Sequence, residues 1–289
     1  MLYALTGVFL FSLSLPMTKW ALESFSPYLT ATLRPILAAL IAIPLMRIAK
    51  VPALPRKYLP PMIYTTVGAA FAWPILIALA LSRTTSAHVA VISAIMPLTT
   101  AIIAVLRTKE TVTAHFWFAS ATGTILLILF AISRGGAQNG DWLADALTIC
   151  AVIASSYCYV EGAELTKVIP GWQVISWVVI FALPICIPAS IIIWINTNDG
   201  SPITFHALFG ITMIGFSSMY IGFVAWYRGL KDAGTAHGSQ VQQLQAIMTL
   251  GWAALLLKEK VTLTMILIAF GVIASVLWAL MSRRKPTSS

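Results

Sequence analysis

The feature that most constrains this chain is a series of ten long, continuously apolar runs joined by short connections that carry nearly all the charge. A helix needs about 20 apolar residues to cross the hydrocarbon core of a bilayer, whereas barrel strands show alternating segments of about ten residues. We therefore predict an all-α integral membrane protein with ten transmembrane helices. The predicted spans are Leu2–Trp20, Leu29–Arg47, Tyr58–Leu81, Ala87–Leu106, His115–Ile132, Trp142–Tyr159, Gln173–Ile195, Phe205–Tyr227, Gly238–Leu257 and Leu263–Met281.

Composition agrees with a membrane class. Hydrophobic residues make up 59% of the chain, charged residues 9%, and the mean hydropathy is +0.90, while soluble domains are about one quarter charged. The net charge of +9 comes from short basic clusters beside the spans, so we expect no nucleic-acid partner. Cys150, Cys158 and Cys186 lie in apolar runs and fit packing better than a disulfide or a metal site. The first run lacks a basic n-region and a cleavage site, so we interpret it as a retained span.

Loop charge predicts the orientation. With the N-terminus in the cytoplasm, the inside loops and the C-terminal tail hold 12 Lys and Arg residues and the outside loops hold 5. Positive residues concentrate on the cytoplasmic side of multi-pass proteins. We therefore expect a bacterial inner-membrane protein with both termini in the cytoplasm.

An internal repeat appears when the sequence is shifted by 149 residues. Arg83–Thr113 then aligns with Asp232–Thr262 without a gap, and nine of 31 positions are identical, including His88 with His237 and Lys109-Glu110 with Lys258-Glu259. Each half holds five spans, an odd number, so the second half crosses the membrane upside down relative to the first. The sequence thus predicts two inverted repeats, residues 1–135 and 140–285, an organisation common in secondary transporters.

The same residues carry a family resemblance. The segment from His237 through Leu257-Lys258-Glu259 and Val261-Thr262 to Gly271 resembles the closing signature of EamA-type members of the drug/metabolite transporter superfamily. The segment through Lys109-Glu110, Val112-Thr113 and Gly123 resembles it again. The opening Phe11-Ser12-Leu13-Ser14-Leu15-Pro16 with Arg34-Pro35 is also similar to that family.

The resemblance implies ten helices, with the fifth and tenth set behind a core of eight, a central cavity, and export of small metabolites such as amino acids. This chain departs from the family pattern at one point. The family has a proline midway along the fourth and ninth helices, and Pro97 fills the first place while Ala246 holds the second. The ninth helix therefore lacks the residue that would kink it.

Four glutamines within six residues mark the ninth span, at positions 240, 242, 243 and 245. Amides are costly when they face lipid, so they face a cavity or bond neighbouring helices. Gln242, Gln245 and Thr249 share one helical face, which we interpret as substrate-binding, with interhelical bonding as the alternative. The repeat partners of Gln242 and Gln245 are Ser93 and Met96, and Ser93 is a further candidate.

Arg34 lies in the second span, within about two turns of its outer end. Its guanidinium suits a substrate carboxylate. The competing interpretations are snorkelling to the outer interface and an ion pair with Glu23.

Other candidates rest on weaker patterns. His88 and His237, at equivalent helix beginnings, and Pro16, within the first span, are gating candidates, although histidines there more often cap or pack a helix. Trp73, Tyr64, Tyr157 and Tyr220 lie deep in their spans and are candidates for cavity walls, with core packing as the alternative. We expect Glu110 and Glu259 to lie at the surface and pair with Lys109 and Lys258, and Thr113 to cap the next helix.

These patterns favour a secondary transporter that exports an amino acid or a similar small amphipathic metabolite. The alternatives are an intramembrane enzyme acting on lipid and a membrane scaffold or sensor. No Walker A motif or intramembrane carboxylate pair is present, so we expect neither ATP drive nor an enzyme, and no cofactor or metal. The expected partners are the metabolite, membrane lipid, a proton or a counter-substrate, and the chain acts as a monomer or homodimer.

Overall fold

The computed structural model describes residues 1–81, 83–84, 89, 92–132, 141–197, 200–248, 252 and 263–282. Within them every regular element is helical. The α-helices are α1 (Leu2–Ser12), α2 (Ser14–Ala21), α3 (Pro27–Ile48), α4 (Leu59–Thr66), α5 (Trp73–Leu81), α6 (Met96–Thr108), α7 (Ala114–Ala131), α8 (Trp142–Leu165), α9 (Gly171–Thr197), α10 (Phe205–Met213), α11 (Phe223–Ala233), α12 (Thr235–Gln240) and α13 (Leu263–Met281). A short 3-10 turn, Arg56–Tyr58, precedes α4.

Five helical stretches in the described residues are long and apolar enough to cross a membrane on length and composition. They are Pro27–Ile48, Arg56–Ile77, Trp142–Leu165, Gly171–Thr197 and Phe205–Ala233, and shorter apolar helices fall on the predicted first, fourth, fifth and tenth spans. The prediction of an all-α membrane class is confirmed. Where the structure describes both ends of a predicted span, the observed helix begins and ends within a few residues of it, because continuous apolar runs set both.

Two spans contain a π-helical segment in place of regular helix. Val67–Ala72 joins α4 to α5, and Ile214–Gly222 joins α10 to α11. A π segment adds residues to a helical turn and is frequent at functional sites. Each segment therefore changes which side chains face the interior without ending the helix.

The first span is interrupted at Leu13, between α1 and α2. In a regular helix the N–H of residue 16 would bond the carbonyl of Ser12, and Pro16 has no N–H to give. The helix resumes when Met17 donates its N–H to the Leu13 carbonyl at 3.1 Å. The break thus follows directly from the position of the proline.

The fourth and ninth spans are both interrupted, although only the fourth has its proline. The chain turns at residues 94–95 before Pro97, and again at residues 241–242 between α12 and a second helical piece at 243–248. The ninth element is therefore interrupted even though Ala246 stands where the family has its proline. A shift of 149 places its break within two residues of the break in the fourth.

Helices of the N-terminal half pack against helices of the C-terminal half. α3 lies along α9, α7 along α13, α6 along α12, and α1 with α2 along the rod from Phe205 to Ala233. The rod from Leu59 to Leu81 packs against α8. The pair α7–α13 makes its other main contacts with α6 and α12, so these two helices lie to one side of the remaining bundle.

Close approach between the halves depends on small residues. A Cβ added to Gly229 would come within 2.4 Å of the Ala4 backbone nitrogen, and one at Gly7 within 2.9 Å of the Trp226 nitrogen. Without a hydrophobic drive between helices in lipid, such backbone contact is a main source of association. The α1–α11 crossing therefore requires these two glycines.

One end of the bundle, where α6 and α8 finish, carries two polar ties between elements. Arg107 Nε donates to Glu161 Oε1 at 2.7 Å, and the Glu161 side chain is only 3% exposed. Glu110 accepts the backbone N–H groups of Thr235 and Ala236, both at 2.9 Å. The expected surface pair of Glu110 with Lys109 is therefore wrong, because the carboxylate is held by the first amides of α12. The predicted Thr113 cap is confirmed, since its hydroxyl accepts from Phe116 N at 3.2 Å.

The opposite end has its own contacts. Arg83 pairs with Asp141 at 2.9 Å, and Asp141 also caps α8 by accepting from Leu143 and Ala144. The hydrogen bond from Arg83 and those two amides hold the pKa of Asp141 below its ordinary value. Glu23 accepts from the Thr204 hydroxyl at 3.0 Å, which joins the α2–α3 connection to the start of α10.

We predict that Arg107→Ala lowers the free energy of unfolding by about 1–3 kcal/mol, because it leaves the buried Glu161 carboxylate without its charged donor. Lys167→Ala is the matched control, since Lys167 is 61% exposed and its pair with Glu164 contributes under about 1 kcal/mol. Denaturant titration of the purified protein in detergent measures both. Equal losses in the two variants would contradict the assignment of Glu161 as a buried anion that depends on Arg107.

Candidate functional site

The break in the first span brings two serine hydroxyls to the middle of the bundle. Ser12 ends α1, and its Oγ accepts the indole N–H of Trp252 at 2.9 Å. Ser14 starts α2 and donates to Ser218 Oγ at 2.7 Å. The first span is therefore bonded to two elements of the C-terminal half at the point where its helix is interrupted.

Arg34 reaches the same place from α3. Its guanidinium NH2 group donates to Ser218 Oγ at 3.4 Å, and its Nε is buried without a hydrogen-bond partner. Ser218 belongs to the π segment Ile214–Gly222, which turns this serine toward Ser14 and Arg34. Three elements thus meet at one serine oxygen.

The two competing interpretations of Arg34 are wrong. The side chain points to Ser218 inside the bundle, so it does not snorkel to the interface. Glu23 is engaged by Thr204 and lies 3.6 Å from His206 Nδ1, so it does not pair with Arg34. The guanidinium is held among hydroxyl groups instead.

Gln242 lies on the side of the ninth element that faces this cluster. Its amide nitrogen is 3.4 Å from Met96 Sδ, its Oε1 is buried without a partner, and the residue is 8% exposed. The buried Tyr159 of α8 lies among Ser155, Gln242 and Arg34. We call Arg34, Ser14, Ser218, Tyr159 and Gln242 the polar centre. It carries donors and acceptors with unused capacity, which is what a polar solute needs.

The other inward glutamines have a different role. Gln240 Nε2 donates to the Pro97 carbonyl at 3.2 Å, and Gln243 Nε2 donates to Gln240 Oε1 at 2.8 Å. Ser275 of α13 in turn donates to Gln243 Oε1 at 3.3 Å. Gln240 and Gln243 therefore join the ninth element to α6 and α13, as in the interhelical alternative.

The predicted aromatic residues are dispersed. Tyr220 is 3% exposed and its hydroxyl lies 2.7 Å from Ser176 Oγ, between the second π segment and α9. Tyr64 and Tyr157 meet edge to face with ring centroids 5.9 Å apart, and Tyr157 also contacts the Arg107–Glu161 pair. Trp73 is partly buried against the largest hydrophobic cluster. None of these four is among the hydrogen-bonding partners of Arg34 in the described structure.

The gating candidates and the remaining polar candidates are placed as follows. His237 is 7% exposed with its ring centroid 4.7 Å from that of Phe116, and Pro16 is buried in α2. Ser93 has a buried hydroxyl without a partner, and Gln245 is partly buried. Two predicted residues, His88 and Thr249, lie outside the described residues.

Sequence reasoning missed Ser14, Ser218 and Tyr159 as members of the polar centre. Ser14 stands two residues before Pro16, and this spacing is the one local signal that its helix is interrupted beside it. Ser218 and Tyr159 carry no such signal, because single hydroxyl residues are common in membrane helices. Only the packing of three elements brings them together.

Comparison with known proteins gives consistent results. The model of the EamA-like transporter family matches residues 1–133 and 142–281. An uncharacterised transporter of Bacillus subtilis (strain 168), YdeK, is 35% identical over 270 residues, covering 93% of each chain. A solved crystal structure superposes with a TM-score of 0.78 over 96% of each chain at 14% identity, which shows a shared fold alone. With helices that suit a membrane and a family match over both halves, this chain belongs to the EamA-like transporter family.

Proposed function

We propose that this protein is a secondary transporter that exports an amino acid or a similar small amphipathic metabolite across the bacterial inner membrane by alternating access. The observation that carries the proposal is the polar centre, which draws Arg34 from the N-terminal half and Ser218 and Gln242 from the C-terminal half. Polar and ionisable groups inside a membrane are costly and mark substrate pathways. Transporter sites lie near the bilayer midplane between structural repeats.

The packing supports ten helices arranged as two inverted repeats, residues 1–135 and 140–285. Repeat-equivalent helices contact each other: α3 with α9, α6 with α12, and α7 with α13. The first span contacts the eighth. Their repeat equivalents, the sixth and the third, also contact each other. A two-fold axis in the membrane plane would produce this pairing.

The irregular segments support the same repeat. Adding 149 to the π segment at 67–72 gives 216–221, which lies inside Ile214–Gly222. The interruptions of the fourth and ninth spans also correspond to within two residues. In an alternating-access transporter, we expect each repeat to bend at such irregular positions when the protein changes between its inward-open and outward-open states.

Glu110 provides a latch at one face. Its carboxylate holds the first two amides of α12, so it ties the end of α6 to the start of the ninth element. By the 149-residue shift, Glu259 corresponds to Glu110 and Ser86-Ala87 to Thr235-Ala236. Those positions lie outside the described residues. From the sequence repeat alone, we infer that Glu259 forms an equivalent latch at the opposite face.

The excess of Lys and Arg in the inside loops and the tail supports the orientation that we propose. Both termini lie in the cytoplasm, and a proton or a counter-substrate drives transport. The described members of the polar centre are hydroxyl, amide and guanidinium groups, a set suited to binding rather than to acid–base catalysis. We therefore favour a non-enzymatic transporter acting as a monomer or homodimer over an intramembrane enzyme or a scaffold.

Reconstitution tests the function directly. In proteoliposomes offered a panel of radiolabelled metabolites, we expect uptake above empty vesicles by the parent, and at least about tenfold lower kcat/KM in Arg34→Ala and Gln242→Ala, since each removes a group that holds solute. Gln245→Ala, on the shared face, is expected to lower it less. Gln243→Ala is the control. It should lower stability by about 0.6 kcal/mol per lost bond and leave kcat/KM close to that of the parent.

Two outcomes separate the function from the site. No uptake of any solute by a folded parent would contradict the transporter proposal. Transport by the parent that the Arg34 and Gln242 variants match would leave the function standing and refute the polar centre as its site.

Orientation is tested with reporters fused after residue 285. We expect a fluorescent C-terminal green fluorescent protein fusion and an inactive alkaline phosphatase fusion, because the basic tail stays in the cytoplasm. The opposite pair of results would refute the predicted topology.

The latch is tested by accessibility. In a background without native cysteines, a cysteine replacing the buried Ser239 reports opening beside α12. We expect Glu110→Gln to raise its labelling by an impermeant maleimide from the Glu110 face by about fivefold, because the neutral amide binds the two N–H groups more weakly. Glu164→Gln, near the same end of the bundle, is the control. Equal labelling of both variants would show that Glu110 does not restrain opening.

A further inference from the structure

Arg34 is a partly buried cation, and none of the described carboxylates pairs with it. Among the described residues no carboxylate oxygen lies within 4.0 Å of it, and its guanidinium donates to the Ser218 hydroxyl instead. Two carboxylates of the described chain have other partners: Glu23 binds Thr204, and Glu161 binds Arg107. A charge taken out of water is expensive unless it is paired and hydrogen-bonded. The fold therefore holds a positive group whose partner is missing from the described chain.

Ser218 points to the same missing partner. Its oxygen accepts from Ser14 Oγ at 2.7 Å and from the Arg34 guanidinium at 3.4 Å. A hydroxyl that accepts two bonds still has one proton to donate, and no acceptor for it is found among the described residues. Arg34 Nε is likewise an unused donor. Two donors of one small cluster thus lack an acceptor among the described residues.

We propose that the polar centre binds a solute that carries a single carboxylate group, with Arg34 as the charged donor and Ser218 as the neutral donor. This inference rests on the proposed function and names its substrate class. A guanidinium has the planar geometry that matches a carboxylate. The described centre has one cation, so one negative charge on the solute balances it, whereas a dianion leaves a net charge buried.

The rest of the centre fits the remainder of such a solute. Gln242 Oε1 is an unused acceptor in the same cluster, available to a donor such as an ammonium group. Tyr159 presents its ring beside Phe223 and Trp226, with centroid distances of 6.0 and 5.6 Å. An acid with a polar donor or an apolar side chain, as in an amino acid, would find complementary groups here.

The test compares acids with their amides, which keep the shape of the acid and lose its charge. Purified protein in detergent is titrated with the amino acids and with acetate to octanoate, each beside its primary amide, and with succinate as the dianion, and thermal unfolding is followed. We expect at least one monocarboxylate to bind about tenfold or more tightly than its amide, and succinate to bind more weakly. Equal binding of acids and amides, or no stabilising acid in the panel, would overturn the inference.

Variants assign the effect to Arg34. Arg34→Gln should lose the preference for acids, and its Tm without ligand should rise because an unpaired buried charge is removed. Arg34→Lys keeps the charge without the planar fork and should retain part of the preference. Arg228→Gln is the matched control, since that guanidinium lies 4.7 Å over the Tyr3 ring, away from the centre, and it should bind as the parent does.

The variants also keep this inference separate from the proposed function. A lower Tm with an unchanged acid preference in Arg34→Gln would make Arg34 a structural residue and overturn the inference. Transport of neutral solutes alone, unaffected by Arg34→Gln, would leave the transporter intact and refute only the substrate class. If Arg34→Gln does not fold, Ser218→Ala carries the test, with weaker acid binding expected and parental acid binding contradicting the proposal.

Discussion

Every backbone N–H and C=O group inside the hydrocarbon must find its hydrogen bond within the protein, and the rest of this structure depends on that constraint. It produces long regular helices wherever the chain faces lipid. The described exceptions are the break at Leu13, the π segments Val67–Ala72 and Ile214–Gly222, and the turns at residues 94–95 and 241–242. Each lies on an element that packs against the other half. Next to the turn at residues 94–95, the Pro97 carbonyl accepts from Ser239 and Gln240 of the ninth element.

These irregular positions also bring the polar side chains together. Ser14 follows the break in the first span, Ser218 lies in the second π segment, and Gln242 is in the turn of the ninth element. A regular helix would direct side chains at intervals of 3.6 residues, and an interruption changes that direction locally. The irregular segments therefore bring the groups of the polar centre together around Arg34. Loss of regular helical structure costs stability, and such a cost is typical of functional sites.

The apolar runs were enough to predict the membrane class and most helix positions, because the constraint acts on each span separately. Arg34 was also predictable, since a charge inside a span is conspicuous in the sequence. The different roles of the glutamines could not be predicted from the sequence. Gln240 and Gln243 bond neighbouring helices while Gln242 keeps an unused acceptor, and that difference depends on where Pro97 and Ser275 lie. Likewise, Glu110 caps a helix 125 residues away, a distance that no local pattern reports.

The two halves share their framework and differ at the centre. A π segment and an interrupted span occur in each half, as the proposed inverted repeat requires. The charge of Arg34 occurs in the first half only. The corresponding seventh span, Gln173–Ile195, has no charged residue. At the position that aligns with Gln242, the first half has Ser93. A symmetric centre with two guanidinium groups would repel itself in a medium of low dielectric. A single Arg34 avoids that repulsion, and it leaves one guanidinium at the centre for the carboxylate that we propose binds there.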